Sequence, residues 1–299
     1  MGRVFSFADI QAGKIPKPEY FDAAKHITLE WMQSLLRDRE IVGGQIFGSV
    51  ASKTASKRSD FDLILVTTDY TIPDNIGGHK RLMEAAFHIP MEPILIPSEF
   101  ANTTLHSMDS DFLHHMSQVG GENVVGEHPA LLIKPNNPDI TQVHTSYLAS
   151  KLRKFRDGTF IVGEDAKLKT LQRALEAPIS IGRRTLRTLG IPQTNDAGEF
   201  DDTKRNIAKI FRENFSETPI GEGFNTCLAQ DMTYSDLLES AVQGDVSQAE
   251  YEGFILREGY DLALAQSLAW TSDISLFFHR AVEGNRSQAE GQQSFRERL

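Results

Sequence analysis

The sequence predicts an α+β protein in which a small domain of strands and helices precedes an all-helical domain. Three short aliphatic runs with strand character lie early in the chain, at residues 41–47, 61–67 and 91–96. From about Gln142 onward, strand patterns give way to long stretches of apolar residues at helical spacing. The intervening segment KPNNPDITQ is rich in proline and asparagine, which is typical of a linker. We therefore predict domains at residues 1–135 and 142–299.

Helices alternate with the strands in the first domain. After a polar, proline-marked leader at residues 1–19, amphipathic spacing predicts helices at residues 20–38, 79–87 and 110–118. A last strand is predicted around residues 123–125 and over the PALLI sequence at 129–133. The helices of the second domain are predicted at residues 147–155, 166–189, 203–215, 234–242 and 248–282. After about residue 285 the chain is so polar that we expect a disordered tail.

Composition and charge restrict the class of protein. The chain has 299 residues, of which 40% are hydrophobic, and this is enough apolar surface for substantial cores. With 31 basic and 41 acidic residues the net charge is −10, so the overall field does not attract long nucleic acid or anionic membranes. The single cysteine, Cys227, excludes an intrachain disulfide and fits a reducing compartment. No apolar stretch approaches the length of a membrane span, and we expect a soluble cytoplasmic protein.

Two aspartates stand one residue apart in the segment GSVASKTASKRSDFDLILV, where Asp60 and Asp62 open the second predicted strand. Residues i and i+2 of a strand share a face, about 6.6 Å apart at the backbone, so the two carboxylates lie side by side. Like charges this close raise each other's pKa, and a divalent cation would relieve their repulsion. The alternative is that the two aspartates are solvated acidic residues at the start of a strand and have no chemical function.

The position of the strand relative to the aspartates separates the chemistries that use such a pair. In phosphatases and sugar transferases with Asp-x-Asp the strand leads into the pair, whereas here the aliphatic residues follow it. The preceding strand ends in Gly48-Ser49, where glycine allows the backbone to approach a phosphate and serine adds a hydroxyl and an N–H. Magnesium commonly binds through one or two carboxylates together with substrate phosphates. The two features together therefore favour a metal and phosphate site.

This pattern resembles the signature of the nucleotidyltransferases of the DNA polymerase β superfamily. Their signature is a strand ending in Gly-Ser, a polar loop, and Ser-Asp-x-Asp opening the next strand. Gly48-Ser49 and Ser59-Asp60-Phe61-Asp62-Leu63 match it at the usual spacing. The chain departs from the small bacterial members at Lys53, where these often carry glycine. The pairing with a helical domain is similar to the aminoglycoside-type members and to those associated with toxin–antitoxin systems.

The resemblance implies a small mixed β-sheet nucleotidyltransferase domain, and a third carboxylate on a later strand. The best match is Glu92, which begins an apolar run, with Glu84 and Glu99 as alternatives. Pro93 cannot donate to a sheet ladder, so this strand is expected at an edge where Glu92 stays accessible. In the family's mechanism the two aspartates bind two Mg²⁺ ions, and the third carboxylate binds the ion that activates the attacking hydroxyl.

Basic residues near the motif are expected to meet a nucleoside triphosphate. Lys53, Lys57 and Arg58 lie in the loop before the aspartates, where they form a patch beside the phosphates or are merely solvated. In two-domain members of the superfamily a basic residue of the helical domain contacts phosphate, and Lys151 and Lys154 are the best matches. The alternative for these two lysines is a surface helix with solvated cations.

Two other charged groups are interpreted structurally. Arg183, Arg184 and Arg187 lie on a predicted amphipathic helix, and we expect them on its solvated face. Asp109 precedes a predicted helix and is expected to be its N-cap.

The resulting hypothesis is a Mg²⁺-dependent enzyme that transfers a nucleoside monophosphate from ATP or another NTP to a hydroxyl of an acceptor. Acceptors in the superfamily include antibiotics, protein side chains and RNA ends, and the acidic composition disfavours long nucleic acid. The alternative is a non-catalytic nucleotide-binding or interaction protein with the same fold. The presence of Gly48-Ser49 and of all three carboxylates favours catalysis. The motif specifies neither the base, the acceptor nor the oligomeric state.

Overall fold

The chain is a mixed α/β protein with one small sheet and a helical region at its C-terminal side. The computed structural model describes residues 3–69, 72–73 and 75–296, with side chains described as far as Arg280. None of the helices in this part of the chain combines the length and apolar character needed to cross a lipid bilayer. The predicted tail begins at about residue 285, where side chains are not described, and its disorder stays a prediction.

The first part of the chain contains all four strands and seven helices of the described residues, some of them single turns. Its elements are α1 (Phe7–Gln11), α2 (Pro18–Arg37), β1 (Ile41–Phe47), α3 (Gly48–Ala51), β2 (Asp62–Thr67), α4 (Ile76–Phe87), β3 (Ile94–Pro97), α5 (Ser98–Ala101), α6 (Ser110–Ser117), β4 (Val124–Gly126) and α7 (Pro129–Leu132). The predicted helices and strands are confirmed here, with one exception. PALLI is a helical turn and not a strand, because Pro129 suits a first helical position and His128 caps the backbone N–H of Ala130.

The four strands form one mixed sheet in the order β3-β2-β1-β4. β1 pairs antiparallel with β2 and with β4, whereas β2 and β3 are parallel. β3 is therefore an edge strand, which confirms the expectation from Pro93. Separate apolar clusters cover the two faces of the sheet, and α6 contributes Leu113 and Met116 to the cluster that contains Ile64 and Ile96.

The remainder of the chain is helical, which confirms the change in pattern near Gln142. Its helices are α8 (Ile140–Gly158), α9 (Glu164–Thr188), α10 (Lys204–Phe215), α11 (Pro219–Gln243), α12 (Gln248–Gly253) and α13 (Gly259–Arg296). The sequence pattern predicted the start of α11 at about residue 234, but the helix begins at Pro219. Two glycines hide this first part in the sequence, while Pro219 occupies an N-terminal helical position and Thr218 caps the N–H of Gly221.

The N-terminal leader packs into the helical region. Val4, Phe5 and Phe7 are buried in the same apolar cluster as α9, α11 and α13. The Phe5 N–H donates to Tyr234 Oη at 2.9 Å, and Tyr251 Oη donates to the Phe5 carbonyl at 3.0 Å. The first residues of the chain therefore connect to elements more than 200 positions away, as the 229-residue separation of Phe5 and Tyr234 shows.

Candidate active site

The register of the sheet brings the motif residues to one end of three strands. Phe47, the last residue of β1, pairs with Asp62, so the Gly48-Ser49 turn lies beside the aspartates. The parallel register joins Ile64 to Ile94 and continues in the isolated bridge between Phe61 and Met91. Glu92 is therefore level with Asp62 on the neighbouring strand, about 4.8 Å away at the backbone.

Side-chain alternation places the carboxylates on one face of the sheet. Phe61 and Met91 are both buried in the apolar cluster on the opposite face. Because neighbouring residues along a strand point to opposite sides, Asp62 and Glu92 face the side covered by α6, and the charge of the preceding Asp60 acts on Asp62. Asp60 and Asp62 are partly buried, and Glu92 is exposed.

Gly48 is required by the close approach of the turn to Asp62. Its φ angle of +70° lies in the left-handed region, which glycine adopts without a steric penalty. A Cβ atom at this position would also collide with Asp62 Oδ2. The Gly-Ser turn and the second aspartate are therefore in direct contact, and no larger side chain fits between them.

The electrostatic environment of Asp62 is unfavourable for its charge. Burial, with the negative charges of Asp60 and Glu176, raises the pKa of Asp62 to about 7, against a lowering contribution from Arg183. Glu176 comes from α9, and the pKa of its own carboxyl is raised by burial and by Asp60. A carboxyl with a pKa near 7 beside other carboxylates has the properties expected of a cation ligand.

Glu176 was missed in the sequence, although α9 carries it to the site. Its side chain is 8% exposed, and Gln172 Nε2 donates to Glu176 Oε1 at 3.4 Å. The available signal was a single carboxylate among apolar residues in QRALEAPIS, immediately before a proline. Such a signal is weak on its own, because it does not indicate which other element lies opposite the helix.

The two lysines predicted on the helical side differ in their surroundings. Lys151 on α8 is 9% exposed, its Nζ lies 5.2 Å from the centre of the Tyr147 ring, and its charge acts on Glu176. This environment contradicts the alternative of a solvated lysine. Lys154 is exposed, although burial of part of its side chain and the nearby Lys151 charge lower the pKa of its amine. The structure therefore brings Lys151, and not Lys154, into the neighbourhood of the carboxylates.

The loop before the aspartates provides fewer free cations than the sequence suggested. Lys57 Nζ forms an ion pair with Glu239 of α11 at 2.7 Å, and Arg58 is buried. Arg58 therefore fits neither the phosphate patch nor the solvated alternative, and the charge of Lys57 is paired with α11. Lys53 is exposed with a φ angle of +57°, in the left-handed conformation that glycine adopts most readily.

The arginines of α9 are not on a solvated face, and that prediction is also wrong. Arg184 Nη1 lies 3.1 Å from Asp111 Oδ2, and Arg187 contacts both the carboxylate and the carbonyl of Asp111. Arg183 lies 3.5 Å from Asp202. Arg184 and Arg187 therefore pair with α6, whereas the partner of Arg183 lies in the segment between α9 and α10. Asp109 caps α6 by accepting from the Phe112 N–H at 2.8 Å, which confirms its predicted role.

The donors at the sheet mouth suit magnesium, which prefers hard oxygen ligands and keeps sites for substrate phosphates. Asp62 has a raised pKa and lies directly against the Gly48 turn. Within the described ranges no three His, Cys, Asp or Glu side chains are already gathered in a metal-ligating arrangement. Coordination by Asp60, Asp62 and Glu92 together would therefore involve side-chain rotation.

The residues predicted from the motif thus meet at one end of β1, β2 and β3, with Glu176 and Lys151 added from the helical region. In comparisons with known proteins, no protein-family model matches the chain and no curated protein is significantly similar to it.

Proposed function

We propose that the protein is a Mg²⁺-dependent nucleotidyltransferase that moves a nucleoside monophosphate from an NTP to a hydroxyl of an acceptor. The observation that carries this proposal is the sheet register, which aligns Gly48, Asp62 and Glu92 beside one another. The raised pKa of Asp62 supports it, because a cation would relieve the repulsion among the carboxylates. We assign residues 1–135 to the nucleotidyltransferase domain, with part of the leader packed on the helical region, and 142–299 to a helical domain, in a cytoplasmic protein.

In the proposed reaction the acceptor hydroxyl attacks the α-phosphorus of the NTP. A new O–P bond forms, the bond to the β-phosphate oxygen breaks, and pyrophosphate leaves. Two bound Mg²⁺ ions would supply charge stabilisation for the entering and leaving oxygens, held by Asp60, Asp62 and Glu92. Glu92 is exposed to solvent, so water beside it takes up the proton of the hydroxyl.

The remaining residues bind and orient the triphosphate. Gly48 allows its backbone to approach a phosphate oxygen, and Ser49 offers a hydroxyl and an N–H at the same turn. Lys53 in the loop after α3 and Lys151 on α8 are assigned to provide positive charge for the triphosphate, with Lys154 as an exposed second lysine of α8. Glu176 faces the aspartates from α9, so the helical region contributes to the site.

The test is incubation of the purified protein with Mg²⁺, the four α-labelled NTPs, and candidate acceptors or cell lysate. We expect transferred label and released pyrophosphate with wild type. Because the aspartates are assigned as ligands, the double variant Asp60→Asn/Asp62→Asn should lower transfer by at least roughly 1,000-fold. An equal signal from wild type and the double variant would exclude catalysis at this site.

Glutamate variants test which carboxylate is the third ligand. Glu92→Gln should reduce transfer severely, because it removes the carboxylate that is level with Asp62. Glu84→Gln is the matched control, since Glu84 is exposed on α4 in an i,i+4 pair with Lys80 at 3.8 Å. Glu99→Gln tests the remaining alternative. If wild type binds an NTP with Mg²⁺ but transfers no label to any acceptor, the non-catalytic alternative replaces the enzyme proposal.

A further inference from the structure

Arg58 is a buried cation two positions before Asp60, and the motif assigns it no role. Its side chain is 6% exposed. Its Nη1 donates to Asp231 Oδ1 at 2.7 Å and to Ser235 Oγ at 3.0 Å, and both acceptors lie on α11. A charge-assisted hydrogen bond at this distance and depth holds the guanidinium in one position. Arg58 thereby ties the motif loop to the helical region.

The same residue also ties the loop to the N-terminal leader. Arg58 Nε donates to the Arg3 carbonyl at 3.2 Å, and the Arg3 N–H donates to the Arg58 carbonyl at 2.5 Å. The guanidinium lies 4.7 Å from the centre of the Tyr234 ring, whose hydroxyl accepts from the Phe5 N–H. Three segments that are distant in sequence therefore meet at Arg58.

Asp60 lies between this anchor and a second one. After it, Phe61 is buried under the sheet and its N–H donates to the Pro90 carbonyl at 2.9 Å. Before it, Ser59 closes a turn in which its N–H donates to the Ser56 carbonyl at 2.8 Å. Asp60 itself belongs to neither a strand nor a helix. Its backbone position therefore depends on the anchors on both sides.

We propose that Arg58 is a positioning residue, which holds Asp60 in its metal-binding position by fixing the loop to α11 and to the leader. The inference rests on the proposed function, in which Asp60 is a ligand. A misplacement of about 1 Å in such a group lowers the rate by about 100-fold without removing any reacting atom. The helical region and the leader thus act on the site through Arg58 as well as through Glu176 and Lys151.

Lys57 offers a matched control in the neighbouring position. It forms an ion pair with α11, to Glu239 at 2.7 Å, but the two side chains are 33% and 50% exposed. Exposed pairs of this kind contribute little to a folded structure. Lys57→Ala therefore removes one cation and one contact between the loop and α11 while leaving the buried anchor intact.

The experiment compares Arg58→Ala, Arg58→Lys and Lys57→Ala, assayed at a temperature where each is folded. We expect Arg58→Ala to lower kcat by about 10- to 100-fold with the KM for the NTP changed by less than about 2-fold, because Asp60 is displaced while the phosphate turn is not. Arg58→Lys should recover part of the rate, since one ammonium replaces only some of the guanidinium bonds. Lys57→Ala should match wild type. Equal kcat values for Arg58→Ala and Lys57→Ala would overturn the inference.

Hydrogen–deuterium exchange of the loop distinguishes a failure of this inference from a failure of the proposed function. Arg58→Ala should speed exchange of the amides at residues 56–61 by about 10-fold or more, with no change in the strands. If wild type shows no transfer, the proposed function fails. Separately, unchanged amide exchange in Arg58→Ala would show that Arg58 does not fix the loop and would overturn the inference. Should Arg58→Ala not fold, Asp231→Asn weakens the same anchor from α11 and decides the question by the same two measurements.

Discussion

Two aspartates on the same side of the sheet are in opposite electrostatic situations. Asp111 on α6 is 1% exposed, and although burial opposes its charge, Arg184 and Arg187 lower the pKa of its carboxyl. Asp62 at the start of β2 has its pKa raised to about 7 by burial and by neighbouring carboxylates. One region balances its charges internally, and the other accumulates negative charge.

The difference separates a charge that the fold compensates from one that it does not. Buried ions are tolerated where partners and hydrogen bonds compensate for lost hydration, as in the contact between α6 and α9. An excess of carboxylates at the mouth of a sheet destabilises the fold, and a bound cation would remove that penalty. The comparison therefore predicts opposite responses when each aspartate is neutralised.

The largest effect is expected at Asp111. Asp111→Asn keeps the shape of the side chain but leaves the partly buried Arg184 and Arg187 without their buried counter-charge. We expect the free energy of unfolding to fall by about 3–5 kcal/mol, measured by urea denaturation at pH 7. The control is Asp196→Asn, because Asp196 pairs with Lys209 at the surface and should leave the denaturation midpoint unchanged. A loss below about 1 kcal/mol at Asp111 would mean that the arginines find other partners.

Much of the sheet and the motif could be predicted because their signals are local. The aliphatic runs of β1 and β2 are short and continuous, and Gly48, Asp60 and Asp62 stand at fixed positions beside them. Partners that are distant in the sequence could not be predicted in this way. The amphipathic pattern of α9 showed a polar face, but not that the buried Asp111 of α6 pairs with Arg184 on it. Similarly, the polar composition of the leader hid the burial of Phe5.

An intermediate effect with the opposite sign is expected at Asp62. Because the pKa of Asp62 is higher in the folded protein than in the unfolded chain, its ionisation lowers the free energy of unfolding. This loss grows as the pH rises from the unfolded-state pKa of 3.8 to the folded-state pKa of about 7, and it is constant at higher pH. Asp62→Asn should therefore raise the free energy of unfolding of the metal-free protein. The gain should be roughly 1–2 kcal/mol larger at pH 8 than at pH 5, a figure that includes a reduction for solvent screening of the charge. Asp111 has the opposite pH dependence, because the pKa of its carboxyl is lower in the folded protein than in the unfolded chain. Its ionisation therefore stabilises the fold at pH values above the unfolded-state pKa. This stabilisation is lost as the pH falls through the folded-state pKa.

Unfolding curves of the Asp62→Asn variant at both pH values, with EDTA present, measure this difference. If Asp62 is a ligand as proposed, adding Mg²⁺ and a non-hydrolysable NTP analogue should reverse the order, because only wild type retains the complete proposed ligand set. A stability difference between variant and wild type that does not change with pH would remove the argument that Asp62 carries an unfavourable charge.

The smallest effect is expected at Lys53, and it tests whether the region of excess negative charge is also a phosphate site. Among the described residues Lys53 forms no ion pair, and its φ of +57° costs a lysine or alanine about 1 kcal/mol relative to glycine. Lys53→Gly should therefore be more stable than Lys53→Ala by about that amount, measured by thermal unfolding.

If Lys53 contacts the triphosphate, both variants should raise the KM for the NTP by a similar factor of about 3–10, as expected for one lost charged contact. Lys53→Arg keeps the charge and should leave the KM unchanged. An unchanged KM in both variants would assign Lys53 to the solvent and leave the contact with phosphate to the Gly48-Ser49 turn and Lys151.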